Sequence, residues 1–182
     1  MIIGLDVSTS CTGVCLLDDA GQIIVIEAIA LSKCKTLWDK ADVVGRYLST
    51  MLINHGPCEN RPDVKFRVAI EEPLMGFQKG MSSAATITTL MKFNGIVSYI
   101  ARNMFDATPE HISAAHARKL CGIKMQRTAI AGMSGKEQVF AHMAANDLKT
   151  IVWPLKKNGK VVDWSRDATD AYVIAKAAYL TS

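Results

Sequence analysis

The chain has 182 residues, 49% of them apolar and 21% charged, and a formal net charge of +4. These are values of a globular chain long enough to bury a full core, and they exclude a disordered or fibrous one. No run approaches the roughly 18 apolar residues of a membrane span, and no basic segment precedes a long apolar one at the N-terminus, so a soluble, cytoplasmic protein with no membrane partner is expected.

Three β-rich runs come first: Ile2 to Val7, Gly13 to Leu17 and Gln22 to Leu31. Ser-Thr-Ser-Cys-Thr separates the first two and the turn sequence Asp18-Asp-Ala-Gly21 the last two, which predicts an antiparallel meander. Thr36 to Asn54 is an amphipathic helix with Leu37, Val44, Leu48, Met51 and Leu52 on one broad face. A loop with Gly56, Pro57 and Pro62 leads to the compact strand Phe66 to Ile70, which Pro73 keeps from simple continuation. Gly76 to Met81 reads as flexible, and Ser82 to Met104 as a long helix. His111-Ile-Ser is a fifth strand and Ala114 to Leu120 a short helix. Ser134 or Gly135 caps a helix through Lys149, Lys156 to Lys160 is an exposed turn, and Asp167 to Leu180 is the last helix. This order predicts an α/β chain with one mixed five-stranded sheet flanked by helices, and a single domain over residues 1–182.

Charge is unevenly spread. Residues 1–90 hold 8 Lys+Arg against 10 Asp+Glu, whereas residues 91–182 hold 13 against 7. The basic second half makes a polyanionic partner plausible, because Lys and Arg neutralise phosphates and release counterions. The five cysteines form no CxxC pair and show no ligand spacing to the four histidines, which points to reduced thiols and away from zinc.

The chemistry concentrates in four acids. Asp6 shares its strand parity with Ile2 and Gly4 and so emerges on an inward face. Glu71 follows Val68-Ala-Ile70 where a buried strand runs out. Asp167 and Asp170 are neighbours on one helix face, continued by Ile174 and Ala177. A buried ionised carboxylate costs several kcal/mol unless it is paired or metal-bound. Four such placements therefore suggest one convergent site for two divalent ions, Mg²⁺ with Mn²⁺ as a substitute. Read singly, Asp167 could be a helix cap, Glu71 a surface acid and Asp6 a turn former.

Ile-Gly-Leu-Asp6-x-Ser-Thr, Ala-Ile-Glu71 and Asp167-Ala-Thr-Asp170-Ala, in that order, resemble the RuvC-type Holliday junction resolvases of the RNase H-like superfamily. The resemblance spans almost the whole chain. It implies an RNase H-like fold, a homodimer, and Mg²⁺-dependent symmetric nicking of four-way or other branched DNA, with Asp6, Glu71, Asp167 and Asp170 as catalytic metal ligands. By the same matching, Lys119 and Lys136 resemble phosphate-binding lysines. Phe77 resembles an aromatic near the junction centre, although Glu72-Pro73 departs from the family pattern there. The helix from Ser82 resembles a dimer element, with Ala85, Thr89, Phe93, Ile96 and Ile100 as its face. The stretch Trp153 to Arg166 is longer and more basic than the compact bacterial pattern, which suits a divergent, phage-encoded member.

Three other functions share these features. An RNA-processing nuclease of the same fold fits the basic half equally. Gly4 to Gly13 also resembles the phosphate hairpin of actin-like and sugar-kinase ATPases, yet the chain is short for two lobes. An inactive nucleic-acid-binding module is the non-enzymatic reading, against which the four acids count, since without metal they repel DNA and one another.

Overall fold

The computed structural model describes residues 1–73 and 83–181. The assignments to Phe77 and to the segment from Gly76 to Met81, and the helix start at Ser82, lie outside the described residues. The elements are β1 (Ile2–Asp6), β2 (Cys11–Leu17), β3 (Ile23–Ala30), α1 (Leu37–His55), β4 (Arg67–Glu71), α2 (Ala84–Phe105), β5 (Glu110–Ile112), α3 (Ala114–Leu120), α4 (Thr128–Ala131), α5 (Gly135–Ala145) and α6 (Trp164–Leu180). The sheet order is β3-β2-β1-β4-β5. β1 to β3 form the expected antiparallel meander, and β4 and β5 add parallel to β1.

Strand parity divides the core into two layers. Ile3, Leu5, Val68 and Ile70 pack with α1 and α2, while Ile2, Cys15 and Ala69 pack with α6 and residues of α3 and α5. Asp6 and Glu71 continue the second parity, so both emerge on the α6 side. Among the described residues no helix is long and apolar enough to cross a membrane. All five cysteines are free thiols.

Hydroxyl caps start most of the helices. Thr36 and Asp39 form a reciprocal capping box for α1, Ser134 and Glu137 do the same for α5, and Ser83 and Ser113 cap α2 and α3. α6 begins at Trp164, three residues before the expected start, so Asp167 lies inside its first turn and is not its cap. α5 ends at Ala145, short of Lys149, because Asn146 leaves helical geometry. The four-residue α4 had no counterpart in the sequence reading.

α6 is alanine-rich and buried on nearly every side, as a helix laid across a sheet must be. Two glycines let it lie flush. A Cβ at Gly4 would stand 2.6 Å from the Ala175 nitrogen, and one at Gly13, the register partner of Asp6, would overlap the Asp167 carbonyl. Of the face expected to make a dimer contact on α2, Ala85 and Thr89 are exposed, but the remainder turns into the core. Phe93 is fully buried and packs with Val97, Ala101 and Phe105 in the first core layer, with Ile96 and Ile100 against it.

Two outcomes follow from this packing. Phe93→Ala removes a core ring and should cost about 3–5 kcal/mol of unfolding free energy, measured by urea titration. Gly13→Ala should cost about 3 kcal/mol by overpacking and lower the melting temperature by roughly 6–12 °C, because the obstructing atoms are backbone and cannot rotate away.

Candidate active site

The ends of β1 and β4 deliver Asp6 and Glu71 to the first turns of α6, where Asp167 and Asp170 face them. Lys136, second residue of α5, reaches into the same place. Its Nζ lies 2.9 Å from Asp6 Oδ2, 2.6 Å from Asp167 Oδ1 and 3.3 Å from Asp170 Oδ2. Its side chain is 44% exposed, whereas Asp6 and Asp170 are buried. Glu71 completes the group through a carboxyl–carboxyl hydrogen bond to Asp6.

Burial sets the electrostatics. It pushes the Asp6 carboxyl above its ordinary range against the opposing pull of Lys136. Burial, then the charges of Asp6 and Asp170, push Glu71 to about 8; burial, then Asp6, push Asp170 to about 6. For Lys136 burial opposes the charge, but Asp6, Asp170 and Asp167 outweigh it and hold the ammonium charged. Cys11, at the start of β2, is pushed to about 12 by burial and by the neighbouring Asp167, so its thiol is inert.

Two residues that the sequence reading passed over support this centre. Asn94, buried on α2, donates its side-chain amide to the Glu71 carbonyl at 3.1 Å and so fixes the end of β4. Its signal was a polar residue inside an apolar helix stripe. Arg118 on α3 is felt by both Glu71 and Asp170, lowering their pKa values. Its neighbour Lys119, the residue singled out from the sequence, is exposed on the same short helix. The structure thus brings five of the seven expected site residues together, leaves Lys119 outside the cluster, and does not describe Phe77.

As the side chains stand around the Lys136 ammonium, no three His, Cys, Asp or Glu among the described residues are placed to hold one ion together. The chemistry nevertheless fits: the donors are all hard carboxylate oxygens, and Asp170 Oδ2 is buried without a hydrogen bond, 3.3 Å from the ammonium. Glu71 and Asp170 are held towards their neutral forms by the same crowding that a cation would relieve.

No protein-family model matches the sequence, and no curated protein matches it. Solved structures do match the fold. Thermus thermophilus RuvC in complex with a Holliday junction substrate aligns with a TM-score of 0.62 at 13% identity, over 99% of this chain and 93% of that one. Another Thermus thermophilus RuvC structure gives 0.55 at 17%, over 99% and 94%. The yeast mitochondrial Holliday junction resolvase Ydc2 gives 0.50 at 12%, over 99% and 80%. The chain therefore has the RNase H-like fold of RuvC, with the expected five-stranded mixed sheet flanked by helices.

The raised Glu71 pKa has a stability consequence. Between its ordinary 4.5 and about 8, the folded protein keeps a proton that the unfolded chain has lost. Metal-free protein should therefore be most stable below about pH 5 as far as this group is concerned, and lose that contribution as the pH rises towards 8. Asp170 acts in the same direction from 3.8 to about 6. Glu71→Gln should flatten the melting temperature between pH 5 and 8 and raise it at pH 8 by roughly 5 °C, read by calorimetry in EDTA.

Proposed function

We propose that this chain is a structure-selective endodeoxyribonuclease that resolves Holliday junctions and related branched DNA by divalent-metal-dependent phosphodiester hydrolysis. The observation that carries the reading is the convergence of Asp6, Glu71, Asp167 and Asp170 at one end of the sheet. Its support is the fold shared with RuvC and with the junction resolvase Ydc2, and the basic character of the second half of the chain.

Asp6, Glu71, Asp167 and Asp170 would hold two Mg²⁺ ions, or Mn²⁺ in their place. When bound, such ions activate an attacking water and neutralise charge on the departing 3′ oxygen of a phosphodiester. The chain's own residues supply the rest. Asp6, beside Glu71 and sharing the Lys136 ammonium with the α6 acids, would be one of the ligands. Asn94 holds the backbone of Glu71, and the flush seat of α6 on Gly4 and Gly13 fixes Asp167 and Asp170. Lys136 and Arg118 bring positive charge to the centre, suited to orienting a phosphate. Lys119, exposed on α3, would bind a neighbouring phosphate of the same DNA, and Phe77 is retained as a contact near the branch.

Symmetric incision needs two such centres facing strands of like polarity, so a twofold homodimer is part of the reading. With Phe93 in the core, the surface of α2 left for the contact bears Ala85 and Thr89 near its start, then Met91 and Tyr99, 40% and 66% exposed. The nuclease domain would comprise residues 1–182.

Asp6→Asn and Asp170→Asn should each slow cleavage of a labelled four-way junction in Mg²⁺ by at least about 100-fold, the upper end of what losing an outer partner of a metal ligand costs. Junction binding in a gel-shift assay should change by less than about threefold, because no phosphate-binding cation is removed. Wild-type rates in both variants would sink the metal assignment. Absence of any Mg²⁺-dependent cleavage of branched DNA by the wild type would sink the function.

A further inference from the structure

The segment joining α3 to α5 carries a combination that the acid centre does not use. Residues 121–134 hold two cations, Lys124 and Arg127, and no Asp or Glu, inside an acid-free stretch that runs from 111 to 136. Within it Met125, Ile130 and Met133 are exposed at 39%, 74% and 40%. Ile130 is presented by α4, whose four residues bury nothing. Three large apolar side chains within nine residues, flanked by Lys124 and Arg127, are not the scatter expected of an ordinary surface.

The segment is held in place and close to the centre. Gln138 of α5 accepts from the Gln126 backbone N–H at 2.8 Å and donates to the carbonyls of Gln126 at 3.0 Å and Met133 at 3.2 Å. Ser134 then caps α5, and Lys136 follows two residues later with its ammonium among the acids. Met133 precedes Lys136 by three positions, so their Cα atoms lie at most about 11 Å apart. That is the span of about three base steps at 3.4 Å each.

We propose that this loop is an apolar wedge that enters the base stack of the DNA beside the cut strand, with Ile130 and Met133 against unstacked bases and Lys124 and Arg127 on the flanking phosphates. The proposal rests on the nuclease reading and deepens it by naming a DNA element outside the acids. Charge selects the occupant. Protein interfaces are depleted in lysine at their cores, whereas apolar side chains ringed by cations suit a polyanion whose bases can be parted. A distorted branch offers such bases more readily than a continuous duplex, which must be unstacked at a cost of a few kcal/mol per step.

The test uses four-way junctions carrying 2-aminopurine at positions flanking the branch, with Ca²⁺ replacing Mg²⁺ and binding followed in parallel by gel shift. Wild-type protein should raise the fluorescence severalfold at one flanking position. The double variant Ile130→Ser, Met133→Ser should lose most of that rise while its affinity falls by less than threefold; its melting temperature should be unchanged, since both side chains are exposed. Lys124→Ala with Arg127→Ala should instead lower the salt slope of binding by about two. A double serine variant that binds and brightens the probe as the wild type does overturns the wedge and leaves the nuclease reading standing. Loss of a wild-type dimer in the serine variant, with the fluorescence response kept, overturns it in favour of a contact between copies. Failure of the wild type to bind branched DNA removes the wedge and the nuclease reading together.

Discussion

Four carboxylates brought side by side out of bulk water repel one another and lose hydration, and one ammonium group offsets part of that penalty. Lys136 meets acids from the first strand and the last helix at once, so α5 is tied to β1 and α6 by charge as well as by the burial of Val139 and Met143. Glu71 is accommodated differently, by holding a proton in its hydrogen bond to Asp6. The surrounding structure answers to this arrangement. Glycine at positions 4 and 13 brings α6 close enough for its acids to reach, and Asn94 satisfies the β4 carbonyl where the sheet ends.

Much of this architecture was legible in the sequence. All five strands and the long helices follow from apolar periodicity and hydroxyl caps, because those signals act within a few residues. The inward direction of Asp6 followed from parity with Ile2 and Gly4, and the structure turns that face to α6. What escaped depended on contacts far apart in the chain. α6 begins at Trp164 because Trp153 packs against that ring edge-on and Ser165 bonds back to the Val162 carbonyl, neither of which is a sequence pattern. On α2 the stripe through Phe93 was visible, but periodicity gives the face and not what covers it; the first core layer does. Arg118 and Lys119 are equivalent cations in sequence, and only the turn of α3 decides which one the acids feel.

Positive charge plays two separate parts in the second half of the chain. At Lys136 and Arg118 it is turned inward and compensates acids. In the segment from Gly122 to Ser134 it stands outward with no acid beside it in sequence. The formal charge of +4 conceals this division. Even the basic turn near Lys156 is partly self-compensated, since Lys156 pairs with Asp163 at 2.6 Å and Arg166 contacts Asp163 and Glu137.

The unequal burial of α5 and α6 makes one side of the centre stiff and the other compliant. α6 is enclosed along most of its length, so its amides can exchange with solvent only when a large part of the second core layer opens. α5 buries only Val139 and Met143, so a tilt of its first turn would break the ion pairs of Lys136 and the Gln138 and Glu137 bonds but would open little of the core. Asp167 and Asp170 are therefore stationary on the scale of local fluctuations, while Lys136 rides on an element that can yield. Whatever enters the centre meets fixed anions and a displaceable cation.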